Sequence, residues 1–242
     1  MILTAHQPVY LPWLGLFHKI ALADLFVSFD QVQYLPKDWN NRNRVKTHNG
    51  PVWLSVPVKR SGYLGKTITD IEIDNSLPWA RKHWKTLQIN YGKTPYFADY
   101  GDFFTDVYEK REWKTLVELN EFMLRGFLDM LGIAVPVRSA GEFNFTGSKS
   151  SLVLDMCETL GATTYIFGAQ GRDYADVPSF LDRKITPVFQ DYNHPVYPQL
   201  DQPFVSHLSV VDLLFNCGPS SREILMSGNI GKADLMPVAE KQ

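Results

Sequence analysis

Apolar residues gather first at the very start of the chain. Met1-Ile2-Leu3-Thr4-Ala5 is short and rich in strand formers, and it predicts a buried β-strand. Gln7-Pro8-Val9-Tyr10-Leu11-Pro12 follows, where two prolines exclude a helix interior and predict a loop. Proline is tolerated in the first turn of a helix, so Pro12 can begin one. Leu14, Phe17, Ile20 and Ala21 then recur at helical spacing over roughly three turns. Ala23 to Asp30 predicts a second strand that ends in an acid. Strand, loop, helix and strand in this order form a βαβ unit, so the two strands are expected to run parallel.

The pattern continues in the same alternation. Trp53-Leu54-Ser55-Val56-Pro57-Val58 predicts a strand whose proline confines it to an edge or an end. Thr67 to Ile73 alternates as well. A helix is predicted from Trp79 to Asn90, after Pro78, and the strongest one from Trp113 to Leu131. There Leu116, Leu119, Met123, Phe127, Met130 and Leu131 share one face. Leu152, Met156 and Leu160 mark another helix, closed by Gly161. Thr163 to Gly168 reads as an apolar strand running into a glycine-punctuated loop through Gly171. Ile185 to Tyr192 reads as a further strand, and Leu208 to Phe215 as a buried helix ending near Gly218. Helices alternating with strands predict an α/β fold: a Rossmann-like, mostly parallel sheet with flanking helices. One domain is expected over 1–230, with a helical insertion or smaller helical lobe over roughly 75–132. Residues 231–242 read as a weakly ordered tail.

Composition narrows the function classes. The 242 residues, 45% of them hydrophobic, suffice for one sizeable core. The 6 Trp, 11 Tyr and 15 Phe suggest a large pocket, an interface or both, and make a homodimer an expectation. Net charge is -2 with both signs mixed and no basic stripe, which argues against nucleic acid as the main partner. Cys157 and Cys217 offer no disulfide framework and suit a reducing compartment; Cys217, after an apolar helix, reads as a buried thiol. The N-terminus lacks a signal-peptide pattern, and no apolar window approaches the roughly 18 residues of a membrane span, so a cytoplasmic location is expected. Histidines at positions 6, 18, 48, 83, 194 and 207 show no metal-ligand spacing, and no metal or cofactor is expected.

The candidate chemistry concentrates near the start. His6 follows the first strand, at the carboxyl end where ligands bind in open α/β sheets. A helix N-terminus close by would favour an anion. His6 is a general base or donor, or else a residue that only orders its loop. Asp30, ending the second strand, should reach the same sheet edge, either to orient His6 and hold a sugar hydroxyl or to cap a turn. Lys37-Asp38-Trp39-Asn40-Asn41-Arg42-Asn43-Arg44 is the densest polar stretch. Arg42 and Arg44 suit two-pronged phosphate binding, Asn41 a carbonyl or hydroxyl, and Tyr34 and Trp39 stacking. Polar loops are more often simply solvated. Gly168 to Tyr174 fits neither the dinucleotide fingerprint nor a P-loop, yet it could bring Gln170, Arg172 and Tyr174 to the same edge.

His6-Gln7-Pro8, Tyr10-Leu11-Pro12-Trp13, Gly15, Phe17 and Lys19-Ile20 together resemble the start of the WbqC-like family. Asp30, Val32-Gln33-Tyr34, Trp39 and Asn41-Arg42-Asn43-Arg44 continue that resemblance. It runs on through Tyr91, Tyr165, Tyr197, Gln199 and Leu208 to Leu213, to about Gly218. The family is associated with gene clusters for surface polysaccharide, especially lipopolysaccharide O-antigen. The resemblance implies a transferase that moves an acyl or aminoacyl group onto the amino group of a nucleotide-linked amino sugar. His6 and Asp30 would be catalytic. Gln7, Tyr10, Gln33, Trp39, Asn41, Arg42, Arg44, Gln170, Arg172 and Tyr174 would bind substrate, and an acyl or aminoacyl carrier protein is an implied partner. The alternatives are a non-catalytic accessory protein that binds the nucleotide sugar or the carrier, and a nucleotidyltransferase acting on a sugar phosphate. The last is similar in layout only: nucleotidylyltransferases carry a second His two residues after the first, and this chain has Pro8 there.

Overall fold

In the computed structural model, which describes residues 1–63 and 65–235, β1 (Ile2–His6) is buried along almost its whole length. A strand apolar on both faces must be covered on both. Helix α1 (Leu14–Leu22) carries the chain back to β2 (Leu25–Ser28), which pairs parallel to β1 from Leu3 opposite Leu25 to His6 opposite Ser28. The βαβ unit is therefore present. Strands β3 (Arg42–Thr47) and β4 (Gly50–Ser55) form a separate antiparallel hairpin, with Arg44 opposite Trp53. Helices α2 (Trp79–Tyr91), α3 (Phe97–Thr105) and α4 (Leu116–Met130) follow, and α3 runs into a π-turn over Asp106–Lys110. The chain then returns through β5 (Val137–Ser139), α5 (Lys149–Leu160), β6 (Thr164–Phe167), α6 (Val177–Asp182) and β7 (Thr186–Phe189). It ends in α7 (Val210–Cys217) and α8 (Ser221–Met226). Lys232–Leu235 forms a short turn, and Lys232 bonds Asp24 and the Ala23 carbonyl; 236–242, the rest of the expected tail, lies outside the described residues.

The main sheet is all parallel in the order β5-β2-β1-β6-β7, as expected of a Rossmann-like fold. The chain steps outward from β1 through β2 and β5, then crosses back to lay β6 and β7 on the other side. The order reverses between β1 and β6. The crevice outside their carboxyl ends is the topological switch point, where ligands bind in open α/β sheets. Phe26 packs with α1 and α4 residues on one face, and Val27 packs with Val153, Met156 and Phe180 on the other.

Two stretches differ from expectation for physical reasons. The polar block ending at Arg44 is in part a strand: Asn43 and Val45 are buried while Arg42 and Arg44 are half-buried. A polar residue at a buried position hid the period-two pattern. Asn43 is tolerated there because its amide donates to the Leu11 carbonyl and its oxygen accepts from the Arg44 N–H at 2.7 Å. Thr67 to Ile73 holds a 3₁₀ turn, Ile68–Asp70, and isolated bridges, because Ile68, Ile71 and Ile73 all turn inward. The strongest predicted helix begins at Leu116, later than expected. Thr115 caps it, its hydroxyl accepting from Glu118 N–H while the Glu118 carboxylate accepts from Thr115 N–H at 3.0 Å. Cys157 and Cys217 are buried free thiols. No helix among the described residues is long and apolar enough to cross a membrane.

A buried polar knot fixes the hairpin to the body. The Asp212 carboxylate on α7, fully buried, accepts from Tyr91 (2.8 Å), Tyr197 (2.9 Å) and the Gln199 amide (2.6 Å). The Gln199 oxygen accepts from Lys46 Nζ at 2.9 Å, and the Lys46 N–H donates to the Tyr91 hydroxyl at 2.8 Å. Burial pushes the Asp212 carboxyl above the ordinary range, against the pull of its three donors. Removing a buried charged partner strands every group that served it. Asp212→Ala is therefore expected to cost about 3–5 kcal/mol in urea unfolding; a cost below about 1 kcal/mol would show that the knot does not hold the hairpin.

Candidate active site at the carboxyl edge of the sheet

His6 ends β1 beside the switch point. Its Nδ1 lies 2.8 Å from the Gln7 carbonyl oxygen. A carbonyl only accepts, so Nδ1 carries the proton and Nε2 keeps a lone pair. Burial, and then the charge of Lys19, hold the imidazole down to about 4. His6 is therefore neutral at physiological pH. Lys19 sits on α1, 3% exposed, with Nζ 2.9 Å from the Ala5 carbonyl, and burial draws it down to about 7.

A row of rings leads away from His6. Trp13 meets the imidazole edge-on at 5.3 Å, Trp39 lies 5.6 Å from Trp13, and Trp53 lies 5.4 Å from Trp39. Over Trp53 stand the guanidinium groups of Arg42 (4.4 Å) and Arg44 (5.8 Å). The residues come from three places in sequence, and interlocked loops bring them together. Asn40 donates to Gln7 Oε1 (3.1 Å) and the Pro8 carbonyl (3.0 Å), and the Tyr10 N–H donates to the Trp39 carbonyl (3.2 Å). Asn41 and Val56 exchange two bonds, and Asn120 on α4 donates to the Asn40 carbonyl at 2.8 Å.

Among the described residues, five buried side-chain polar atoms have no hydrogen-bond partner: Asn40 Oδ1, Asn41 Oδ1, Asn120 Oδ1, Arg42 Nε and Arg44 Nε. All belong to this one cluster. Three are acceptors and two are donors on cations. Unsatisfied buried polar atoms are few in native proteins and call for a cause. Three amide oxygens that can accept and two cationic N–H groups that can donate therefore lie together in one shielded cluster.

The relationship to known proteins covers the site from Gln7 onward, starting one residue after His6. The WbqC-like protein family matches the chain over residues 7–224. The chain belongs to the WbqC-like family. It is also 33% identical over 220 residues to the uncharacterized protein Rv1507c of Mycobacterium tuberculosis (strain ATCC 25618 / H37Rv). That match spans 90% of this chain and 95% of the relative.

Within this WbqC-like fold the other expected residues fall in distinct places. Asp30 is buried, accepting from the Ser139 hydroxyl and from the Gly141 N–H at 3.2 Å. It thus ties β2 to the turn after β5, which is the capping alternative; no bond between Asp30 and His6 occurs among the described residues. Tyr10 is fully buried, with its hydroxyl 2.8 Å from His83 Nδ1 and 2.6 Å from the Tyr108 hydroxyl. Gln33 is exposed and bridges to Thr67. Gln170 and Arg172 lie in the turn Ala169–Asp173 after β6, at the same sheet edge as His6. Arg172 stands 4.9 Å over Phe189. Tyr174 lines an open cleft with Ser148, Lys149, Ser151 and Ser179. That cleft belongs to the α5 face, across the sheet from α1.

Sequence reading missed Trp13, Trp53, Lys19, Asn40, Asn120 and Glu121 as site residues. Glu121 gave no signal, since it lies outside the apolar face of Leu116, Leu119, Met123 and Phe127 that defines α4 in the sequence. Yet Glu121 is largely buried and accepts from the hydroxyl of Ser28, the residue opposite His6, and burial raises its carboxyl. Gln7, Ser28, Asn120 and Glu121 line a cavity of about 10 Å³, room for one water molecule.

The neutral state of His6 has a measurable consequence. His6 and His83 are both held down to about 4, against 6.5 for a free imidazole. As pH falls below 6.5 the unfolded chain binds protons that the folded one refuses, so stability falls toward about pH 4. NMR titration is expected to show His6 untitrated between roughly pH 5 and 8; a midpoint near its ordinary value would contradict this burial.

Proposed function

We propose that this WbqC-like protein is a cytoplasmic transferase in surface-polysaccharide (O-antigen or lipopolysaccharide) assembly. It transfers an acyl or aminoacyl group to the amino group of a nucleotide-linked amino sugar. The observation that carries the reading is the set of five partnerless polar atoms around the tryptophan row. Two cationic Nε–H donors match diphosphate oxygens, which guanidinium groups bind well. Three amide oxygens match the hydroxyl and amine hydrogens of an amino sugar. Trp39 and Trp53 offer ring faces to the sugar or base.

In this reading Arg42 and Arg44 grip the diphosphate and Asn41 holds a sugar hydroxyl. The sugar amine attacks the acyl carbonyl carbon, forming the N–C bond as the bond to the acyl carrier breaks. The proton leaving the amine goes to His6 Nε2 and then to the departing carrier group. The adjacent Lys19 and the Gln7 carbonyl fix the tautomer and charge of the imidazole.

The weak basicity of His6 favours one second reading, a binding protein that presents the nucleotide sugar or an acyl carrier protein without catalysing transfer. Two variants separate the readings. Arg42→Ala is expected to weaken nucleotide-sugar binding by about 10–100-fold in calorimetry. His6→Ala is expected to keep that binding while lowering product formation, read by mass spectrometry, by about 10²–10⁴-fold. Saturable binding with no product from the native protein, given a range of acyl and aminoacyl donors, establishes the binding reading. Unchanged nucleotide-sugar binding by Arg42→Ala overturns the transferase reading and the nucleotide-sugar form of the binding reading.

A further inference from the structure

Lys19 is a buried ammonium-bearing side chain with little to satisfy it. It is 3% exposed, its one recorded hydrogen bond goes to the Ala5 carbonyl at 2.9 Å, and it takes part in no ion pair among the described residues. An ammonium has three donors, and a buried charge without a counter-ion is costly unless it loses its proton or finds an anion. Burial brings it down to about 7, so it carries a proton readily once an anion is beside it. Its place is specific. Ala5 is the last residue before His6, on the strand that flanks the switch point with β6. His6 senses its charge.

Arg42 and Arg44 stand at the far end of the ring row that begins at His6, each ring 5.3–5.6 Å from the next. Cationic side chains therefore bracket one aromatic wall: a lysine at the switch point and two arginines on the hairpin. A wall bracketed this way suits a ligand with a negative group at each end and a flat or ring-shaped middle.

We propose that Lys19 is a second anion-binding position, separate from Arg42 and Arg44, which takes a carboxylate or phosphate oxygen of the bound ligand at the switch point. This goes beyond the transferase reading and shares only its location.

The test uses the native protein with ¹³C-labelled lysine methylenes at pH 7. The Lys19 signal is identified by its loss in Lys19→Met. Inorganic phosphate and acetate are titrated separately, so that phosphate and carboxylate chemistry are read apart. Saturable movement of the Lys19 signal with either anion is expected, persisting in the Arg42→Ala/Arg44→Ala double variant. Lys19→Met is expected to weaken binding of that anion by about tenfold or more, and Lys19→Arg to restore it. A Lys19 signal that stays fixed with both anions in the folded native protein overturns the inference. So does a response that vanishes in the double arginine variant. A responding Lys19 in a protein that binds no nucleotide sugar leaves the inference standing and defeats the transferase reading.

Discussion

The site depends on two asparagine amides clasping a proline-containing loop. After β1 the chain runs through Pro8 and Pro12, which cannot donate and cannot form a helix interior, so the carbonyls between them have no regular partner. Asn40 supplies one to Pro8, and Asn43 supplies one to Leu11. Those bonds do more than satisfy backbone groups. They fasten residues 39–44 against residues 7–12 and so set Arg42 and Arg44 on the same surface as His6. The knot of Asp212, Tyr91, Gln199 and Lys46 holds the hairpin from behind.

Electrostatics give this surface its character. His6 is kept neutral, Lys19 is buried with a single carbonyl, and the two arginines lie over an indole with their Nε atoms unbonded. Of the nearby acids, Asp30 and Glu121 are engaged by Ser139, Gly141 and Ser28, and Asp38 accepts from the Trp39 N–H at 2.7 Å. Among the described residues Lys19, Arg42 and Arg44 take part in no ion pair, and unpaired positive charge in a partly buried setting favours anions over cations.

Much of this could be read from the chain. The βαβ start, the parallel sheet and the position of His6 follow from apolar runs and two prolines, because local pattern decides them. The hairpin at Arg42 could not be read, since its inward position is an asparagine whose cost is met by a carbonyl 32 residues earlier. Trp53 read as one residue of a strand and Trp13 as part of the family resemblance; only the interlocked loops align them with Trp39. Lys19 entered the sequence reading only as part of the family resemblance, and nothing local announces that its side chain is buried against the Ala5 carbonyl of β1. Tyr10, next to the site in sequence, faces inward to His83 and Tyr108 because the loop turns between Pro8 and Pro12.

The central claim is that His6 and the Arg42–Arg44 hairpin form a single ligand site. A crystal structure of the protein soaked with a nucleotide-linked amino sugar tests it most directly. The account predicts ligand density along the Trp13–Trp39–Trp53 row, with the diphosphate at Arg42 and Arg44 and the sugar beside His6. Density confined to the cleft of Ser148 and Tyr174, across the sheet, would contradict it.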